Sequence, residues 1–184
     1  MNNSEQLARL LAQLSVRRGS FVLSSGRTSD LYIDARMTTM DPRGLALIGP
    51  LGLETIASAG WQAQSVGGLT LGADPIAYAI AYASATTDTP LRAFTVRKEA
   101  KAHGTGKLIE GPFVRGDRVV VIEDSITTGA SALKAAAAIR EQGGNVLGVL
   151  AVVDREEGGR AAIEADGLVL CTLVTREAVL AQLL

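Results

Sequence analysis

Cysteine occurs once in this chain, and so does histidine. The lone cysteine, Cys171, lies in the apolar run of residues 168–174. It cannot close an internal disulfide, which fits a reducing compartment. One histidine and one cysteine also leave no His/Cys cluster for a tight transition-metal site. No apolar stretch reaches the roughly 20 residues that a membrane-spanning helix needs. The opening Met1-Asn2-Asn3-Ser4-Glu5 is polar and acidic, unlike a secretory signal. A formal net charge of -1 supplies no basic field for nucleic acid. No internal repeat, linker or low-complexity tract interrupts the chain. These absences predict a cytoplasmic globular protein with no nucleic-acid and no membrane partner.

What is present suits one domain spanning residues 1–184, with 47% hydrophobic and 20% charged residues. Leu7, Leu10, Leu11 and Leu14 recur at helical spacing after candidate caps at Asn3 and Ser4. Phe21-Val22-Leu23 and Leu31-Tyr32-Ile33 are short strand candidates in a turn-rich stretch. Asp41-Pro42 reads as a cap followed by proline at the first helical position, with a stop at Gly60. Strands are expected over 64–69, 91–96, 118–123, 146–153 and 168–174. Helices are expected over 74–83, 131–142 and 160–165, with another at the end of the chain. Strands alternating with helices predict a doubly wound, mostly parallel α/β sheet flanked by helices. Residues 97–117 form a long polar segment, and loops of that length are usually functional or disordered.

The most telling run is Val119-Val120-Val121-Ile122-Glu123-Asp124-Ser125-Ile126-Thr127-Thr128-Gly129-Ala130-Ser131. Four apolar residues end in two carboxylates, then a small hydroxyl-rich turn, then a helical pattern. Open α/β sheets bind ligands at the carboxyl ends of their strands. A turn that opens a helix offers free N–H groups and the positive end of the macrodipole to an anion. The acids alone read equally well as solvated loop residues or a helix cap. The turn after them supplies three hydroxyls where a cap needs one. Neither a P-loop lysine nor dinucleotide-type glycine spacing is present. A phosphorylated sugar fits: carboxylates for its hydroxyls, the turn for its phosphate.

A carboxylate pair preceding a Thr-Thr-Gly turn resembles the signature of type I phosphoribosyltransferases. The resemblance implies that Glu123 and Asp124 hold the ribose hydroxyls of phosphoribosyl pyrophosphate (PRPP). It implies that Ser125, Ile126, Thr127, Thr128, Gly129, Ala130 and Ser131 receive its 5-phosphate. Arg97-Lys98-Glu99-Ala100-Lys101-Ala102-His103-Gly104, followed by Gly106-Lys107-Leu108-Ile109-Glu110-Gly111, is similar to the catalytic loop of the orotate phosphoribosyltransferases. That likeness implies an enzyme joining orotate to PRPP, giving orotidine 5-phosphate and pyrophosphate in pyrimidine synthesis. It implies a homodimer whose loop 97–111 enters the partner's site. Arg97, Lys98, Lys101 and His103 would then contact the pyrophosphate. Lys101 leads in stabilising departing charge, His103 assists, and Asp124 completes the catalytic set. Mg2+ is implied as cofactor, held by substrate and water with no direct protein ligand.

Other segments agree with this resemblance. Residues 21–29 and Tyr32-Ile33-Asp34 resemble the region beside the base, so that about 1–36 forms a helix and a small hood. Within the single domain, about 97–117 is expected to be a mobile catalytic loop. Arg155, after the strand ending at Val153, matches the arginine that pairs with the orotate carboxylate, a task suited to its planar fork. Thr127 and Tyr32 are implied as further orotate contacts. Gly67-Gly68-Leu69-Thr70-Leu71-Gly72-Ala73-Asp74-Pro75 occupies the place of the pyrophosphate loop, with amides of Thr70, Leu71, Gly72 and Ala73 as its donors. A transferase for a purine or uracil is the nearest alternative, and Arg155 argues against it. A non-catalytic PRPP-sensing regulator is another; it would need a nucleic-acid surface that this charge balance does not offer.

Overall fold

The computed structural model describes residues 2–22, 28–99 and 107–183. The chain opens with helix α1 (Asn3–Leu14), which buries Leu7, Leu10 and Leu11. Its cap is Asn2, one residue earlier than the sequence pattern suggests. The Asn2 side chain accepts from the Glu5 N–H, and Glu5 accepts in return from the Asn2 N–H. This reciprocal box needs an acid three residues after the cap, and Glu5 is that acid.

Strands β1 (Val16–Val22) and β2 (Thr28–Ile33) form an antiparallel hairpin that is a sheet of its own. Both are longer than the apolar triplets that announced them. A short helix α2 (Arg36–Thr39) leads to α3 (Pro42–Ser58), capped by the Asp41 side chain as its sequence indicates. There follow β3 (Ser65–Leu69), α4 (Asp74–Ser84), β4 (Arg92–Val96), β5 (Ile109–Glu110), β6 (Arg118–Ile126), α5 (Ala130–Glu141), β7 (Asn145–Asp154), α6 (Gly159–Ala165), β8 (Leu170–Thr175) and α7 (Arg176–Leu180).

The main sheet has six strands in the order β5-β4-β3-β6-β7-β8, parallel except for β5, which runs against β4. Its strands alternate faces, as the pleat requires. Val120, Ile122, Leu150 and Val152 pack with α1, α3 and α4 through Leu7, Leu11, Ile48, Ile76 and Ile80. Val119, Val121, Val149 and Ala151 face α5 and α6 through Ala135, Ala136, Ile139 and Ile163. Both faces are therefore covered, the condition under which parallel sheets are stable.

Two differences from the sequence pattern bear on the site. The polar segment 97–117 is not loop throughout: Ile109 is buried, and with Glu110 it returns to the sheet edge as β5. Asp117 closes that return, accepting from the Val114 N–H and the Ser65 hydroxyl and pairing with Arg92. Strand β6 continues past the carboxylates to Ile126, because β7 stays paired with it as far as Asp154.

Candidate active site

Chain order makes the crevice. From β3 the chain moves outward to β4 and β5, then crosses back so that β6 lies on the other side of β3. Such a reversal is where open α/β sheets accept ligands. β3 pairs with β6 only from Ser65↔Val119 to Gly67↔Val121. Beyond that, β6 runs on without β3, and a gap opens beside Glu123 and Asp124. The gap is a cavity of about 240 Å³, lined among others by Tyr32, Asp34, Arg36, Thr70, Leu71, Gly72, Lys98, Glu123, Asp124, Ser125, Ser131 and Arg155.

The two carboxylates are not equivalent. Glu123 is only 6% exposed, and its Oε2 has no hydrogen-bond partner. Its Oε1 accepts the Asp124 N–H at 3.2 Å. Burial, and next the adjacent Asp124 charge, push the Glu123 pKa up to about 8, with Lys98 opposing. At neutral pH Glu123 is therefore mainly a protonated acid. Asp124 is half-buried, and its Oδ1 accepts the Ser125 N–H at 2.7 Å.

The turn after β6 is arranged for an anion. Gly129 takes the left-handed conformation, φ 80°, at the start of α5. No described residue accepts from the N–H groups of Thr127, Thr128 or Gly129. The Ala130 N–H makes one long contact, 3.4 Å, with Thr128 Oγ1. Ile126 is buried in the core, so it can offer a ligand only its backbone.

The loop after β3 is narrower in its offer than the sequence indicated. The Thr70 N–H already donates to the Val96 carbonyl and that of Ala73 to the Leu69 carbonyl. Ala73 is also buried. That leaves the amides of Leu71 and Gly72. Gly72 has no room for a side chain: a Cβ there would stand 3.1 Å from the Asp124 carboxyl carbon and 3.2 Å from Glu123 Oε1.

On the β7 side, Arg155 is held from two directions. Its guanidinium donates to the Ile33 carbonyl and lies over the Tyr32 ring, 5.2 Å from the centroid. Tyr32 in turn stacks against Phe21 at 5.4 Å. The hairpin is thereby tied to the end of β7. Arg155 Nε is buried without a partner, a donor available to a carboxylate.

Sequence reasoning missed Arg36, which lines the cavity from the turn into α2. It forks onto Asp34 through Nε at 2.9 Å and NH2 at 3.1 Å. Those hydrogen bonds hold the Asp34 carboxyl below its usual range. The Asp-x-Arg spacing in 34–36 is the one signal that could have marked it. Arg97 stands apart, at 3.6 Å from Glu110 across the β4–β5 edge. Lys98 has its carbonyl fixed by Lys134 Nζ at 2.9 Å, so α5 anchors the start of the basic segment. Lys101 and His103 lie outside the described residues.

The residues present suit a hard cation only in company with a ligand. No group of three or more His, Cys, Asp or Glu gathers among the described residues. Burial and the adjacent Asp124 raise the Glu123 pKa, which weakens it as a charged oxygen donor to a cation. Mg2+ keeps water and substrate oxygens readily and does not require a protein cage.

The fold and this crevice define the class: a type I phosphoribosyltransferase. No protein-family model matches the chain. Comparison with curated proteins finds the orotate phosphoribosyltransferase of Aquifex aeolicus, 49% identical over 176 residues, covering 94% of this chain and 95% of that protein. The orotate phosphoribosyltransferase of Mycobacterium tuberculosis is 53% identical over 163 residues, covering 89% of this chain and 88% of the relative. A crystal structure of the Mycobacterium tuberculosis enzyme in complex with PRPP superposes with a TM-score of 0.81 at 44% identity, covering 97% of this chain and 99% of that one. The chain belongs to the orotate phosphoribosyltransferase family. No helix among the described residues is long and apolar enough to cross a membrane.

Proposed function

We infer that this protein transfers the 5-phosphoribosyl group of PRPP to orotate, releasing pyrophosphate and forming orotidine 5-phosphate. The observation that carries the reading is the crevice itself. A carboxylate pair, a carboxylate-seeking arginine and the flanks of a turn of free amides, Ser125 and Ser131, line one cavity where the sheet reverses. Family membership at about half identity over nine-tenths of the chain supports the same activity.

Each group has a task in this reaction. Thr127, Thr128 and Gly129 amides, with the α5 dipole behind them, receive the 5-phosphate. Glu123 and Asp124 hydrogen-bond the two ribose hydroxyls. Arg155 forks onto the orotate carboxylate, with Tyr32 beneath it and Thr127 beside the ring. Leu71 and Gly72 amides face the pyrophosphate, and Arg97 and Lys98 supply cations from the sheet edge. As the bond at the anomeric carbon lengthens, positive charge grows on the sugar and negative charge on the leaving group. No protein nucleophile takes part; the chain works by positioning and by cations aimed at the departing charge. Lys101 and His103 are assigned to that charge by family resemblance. Mg2+, when bound, neutralises pyrophosphate oxygens and keeps the leaving group in place.

We assign the active form to a homodimer in which loop 97–111 serves the partner's site, with the chain acting in the cytoplasm. An apolar groove between α3 and α4 supports a self-association surface: Leu45, Ala46, Pro50 and Ala79 line it, with Tyr78 and the 86% exposed Tyr82. Exposed apolar patches of that kind mark contact sites. The deciding experiment mixes protein, PRPP, Mg2+ and orotate and follows the loss of orotate absorbance. Consumption of hypoxanthine or uracil in place of orotate overturns the substrate assignment. PRPP binding without any turnover favours the sensing regulator.

A further inference from the structure

Behind the loop after β3 stands a carboxylate that the reaction does not use. Asp74 is the first residue of α4 and is half-buried. Its Oδ2 accepts from the Thr70 hydroxyl at 2.7 Å and its Oδ1 from the Thr95 hydroxyl at 2.8 Å. A third hydroxyl, that of Tyr78, lies 3.0 Å from Thr95 Oγ1. Thr95 has a single hydroxyl proton and has committed it to Asp74, so Tyr78 must be the donor in this last contact. The chain of bonds is thus directional: Tyr78 to Thr95 to Asp74, and Thr70 to Asp74 from the other side. It joins one turn of α4, the carboxyl end of β4 and the first residue of the loop. Tyr78 sits four residues beyond Asp74, on the same face of the helix.

A carboxylate placed two and three residues after the free amides of a pyrophosphate loop is electrostatically unhelpful. It repels the ligand. Its position at a helix N-terminus and its two hydroxyl partners soften that repulsion without removing it. The compensating benefit is geometric. Thr70 opens the turn that presents the Leu71 and Gly72 amides, and Gly72 packs against Asp124 at its far side. Apart from the backbone bonds of Thr70 to Val96 and of Ala73 to Leu69, the side-chain anchor of this loop of small residues is the Thr70 hydroxyl on Asp74.

Resting on the phosphoribosyl-transfer reading above, we propose that Asp74 is a positioning residue for pyrophosphate, holding the 70–73 turn through Thr70 and tying it to β4 through Thr95, with Tyr78 completing the chain. The alternatives predict opposite signs. If Asp74 acts on PRPP only through its charge, Asp74→Asn tightens PRPP binding. If it positions the turn, Asp74→Asn weakens PRPP and pyrophosphate binding, roughly tenfold for the loss of a charge-assisted hydrogen bond.

The test measures dissociation constants for PRPP and for pyrophosphate by calorimetry, with KM for orotate and thermal midpoints alongside. Asp74→Asn and Thr95→Val weaken both phosphate ligands, while KM for orotate stays within about twofold because Arg155 lies across the crevice. Thr95→Ser keeps the hydroxyl and retains wild-type affinity, which a mere packing role for the threonine methyl would not allow. Tyr78→Phe gives a smaller loss in the same direction. Wild-type binding that Asp74→Asn and Thr95→Val leave intact or tighten overturns the inference alone. Wild-type protein that binds neither PRPP nor pyrophosphate overturns the transferase reading and this inference with it. The two principal substitutions lie on different elements, so if one variant unfolds, the other still decides.

Discussion

Gly72 and Asp124 leave no room for a side chain between them: a single methyl on the glycine would stand 3.1 Å from the aspartate's carboxyl carbon. The loop after β3 and the end of β6 are thus packed as one surface. Gly72→Ala must push the carboxylate or the turn aside. At that separation the neighbour has to give by a few tenths of an ångström. The cost falls on the ligand-binding geometry, since the turn is at the rim of the fold. PRPP affinity is expected to drop roughly tenfold with little change in the thermal midpoint, read by calorimetry and scanning fluorimetry. An unchanged affinity would mean that the turn gives way freely.

Glu123 and Asp124 should respond oppositely to amide substitution. Glu123→Gln mimics the protonated acid already present at pH 7, so PRPP binding persists there. Asp124→Asn removes the charged acceptor and weakens binding by on the order of 2 kcal/mol. Titration of PRPP against each variant at pH 7 checks this.

The same residue predicts a pH dependence of stability. Between the ordinary carboxyl pKa of 4.5 and about 8, the folded protein holds a proton on Glu123 that the unfolded chain has lost. Stability contributed by this group therefore falls as pH rises through that window and is lost by pH 8. The difference is on the order of 5 kcal/mol for a shift of this size. Glu123→Gln removes the dependence, so its unfolding midpoint should exceed that of wild type at pH 8.5 and approach it at pH 5. Parallel curves for the two proteins would contradict the assignment.

Arg155 makes three different uses of one guanidinium: a bond to the Ile33 carbonyl, a seat over Tyr32 and a free buried Nε. Lysine cannot reproduce that fork. Arg155→Lys should raise KM for orotate roughly thirtyfold, the loss of a charged hydrogen bond, while PRPP binding holds. Steady-state kinetics with each substrate varied in turn measures the split.

Sharing of the basic loop is open to subunit mixing. Lys101→Ala lowers turnover far more than PRPP binding if its role is confined to the transition state. Mixed with Asp124→Ala protein, it should regain activity, because one of the two sites then has both groups. No recovery after demonstrated subunit exchange would argue for a loop that serves its own chain.

Much of this architecture could be read from residue order. The unbroken apolar run Val119-Val120-Val121-Ile122 marks a strand, and in the fold its side chains fill both faces of the sheet. Glu123 and Asp124 stand out because they close a strand of an open sheet, where such folds bind ligands, whereas Arg155 stands out only through the family resemblance. The remainder depends on partners far apart in sequence. The length of β6 is set by pairing with β7, and β5 exists because its two residues find the β4 edge. Asp74 reads as a helix-opening acid until Thr95 is brought against it by the sheet. Arg36 gains its place from a two-residue fork with Asp34, too short a pattern to stand out. That the amides of Thr70 and Ala73 are engaged follows from carbonyls on β4 and β3, which no local pattern displays.

The reversal of strand order between β3 and β6 also divides labour. In the proposed reaction, leaving-group contacts would come from the β3 and β4 side, the sugar would lie on β6, and the base would be met by β7 and the hairpin. Free-energy changes made on the two flanks share no partner, so they should sum. A lineage could then exchange its nucleobase by rewriting Arg155 and the hairpin alone, leaving the phosphate chemistry undisturbed.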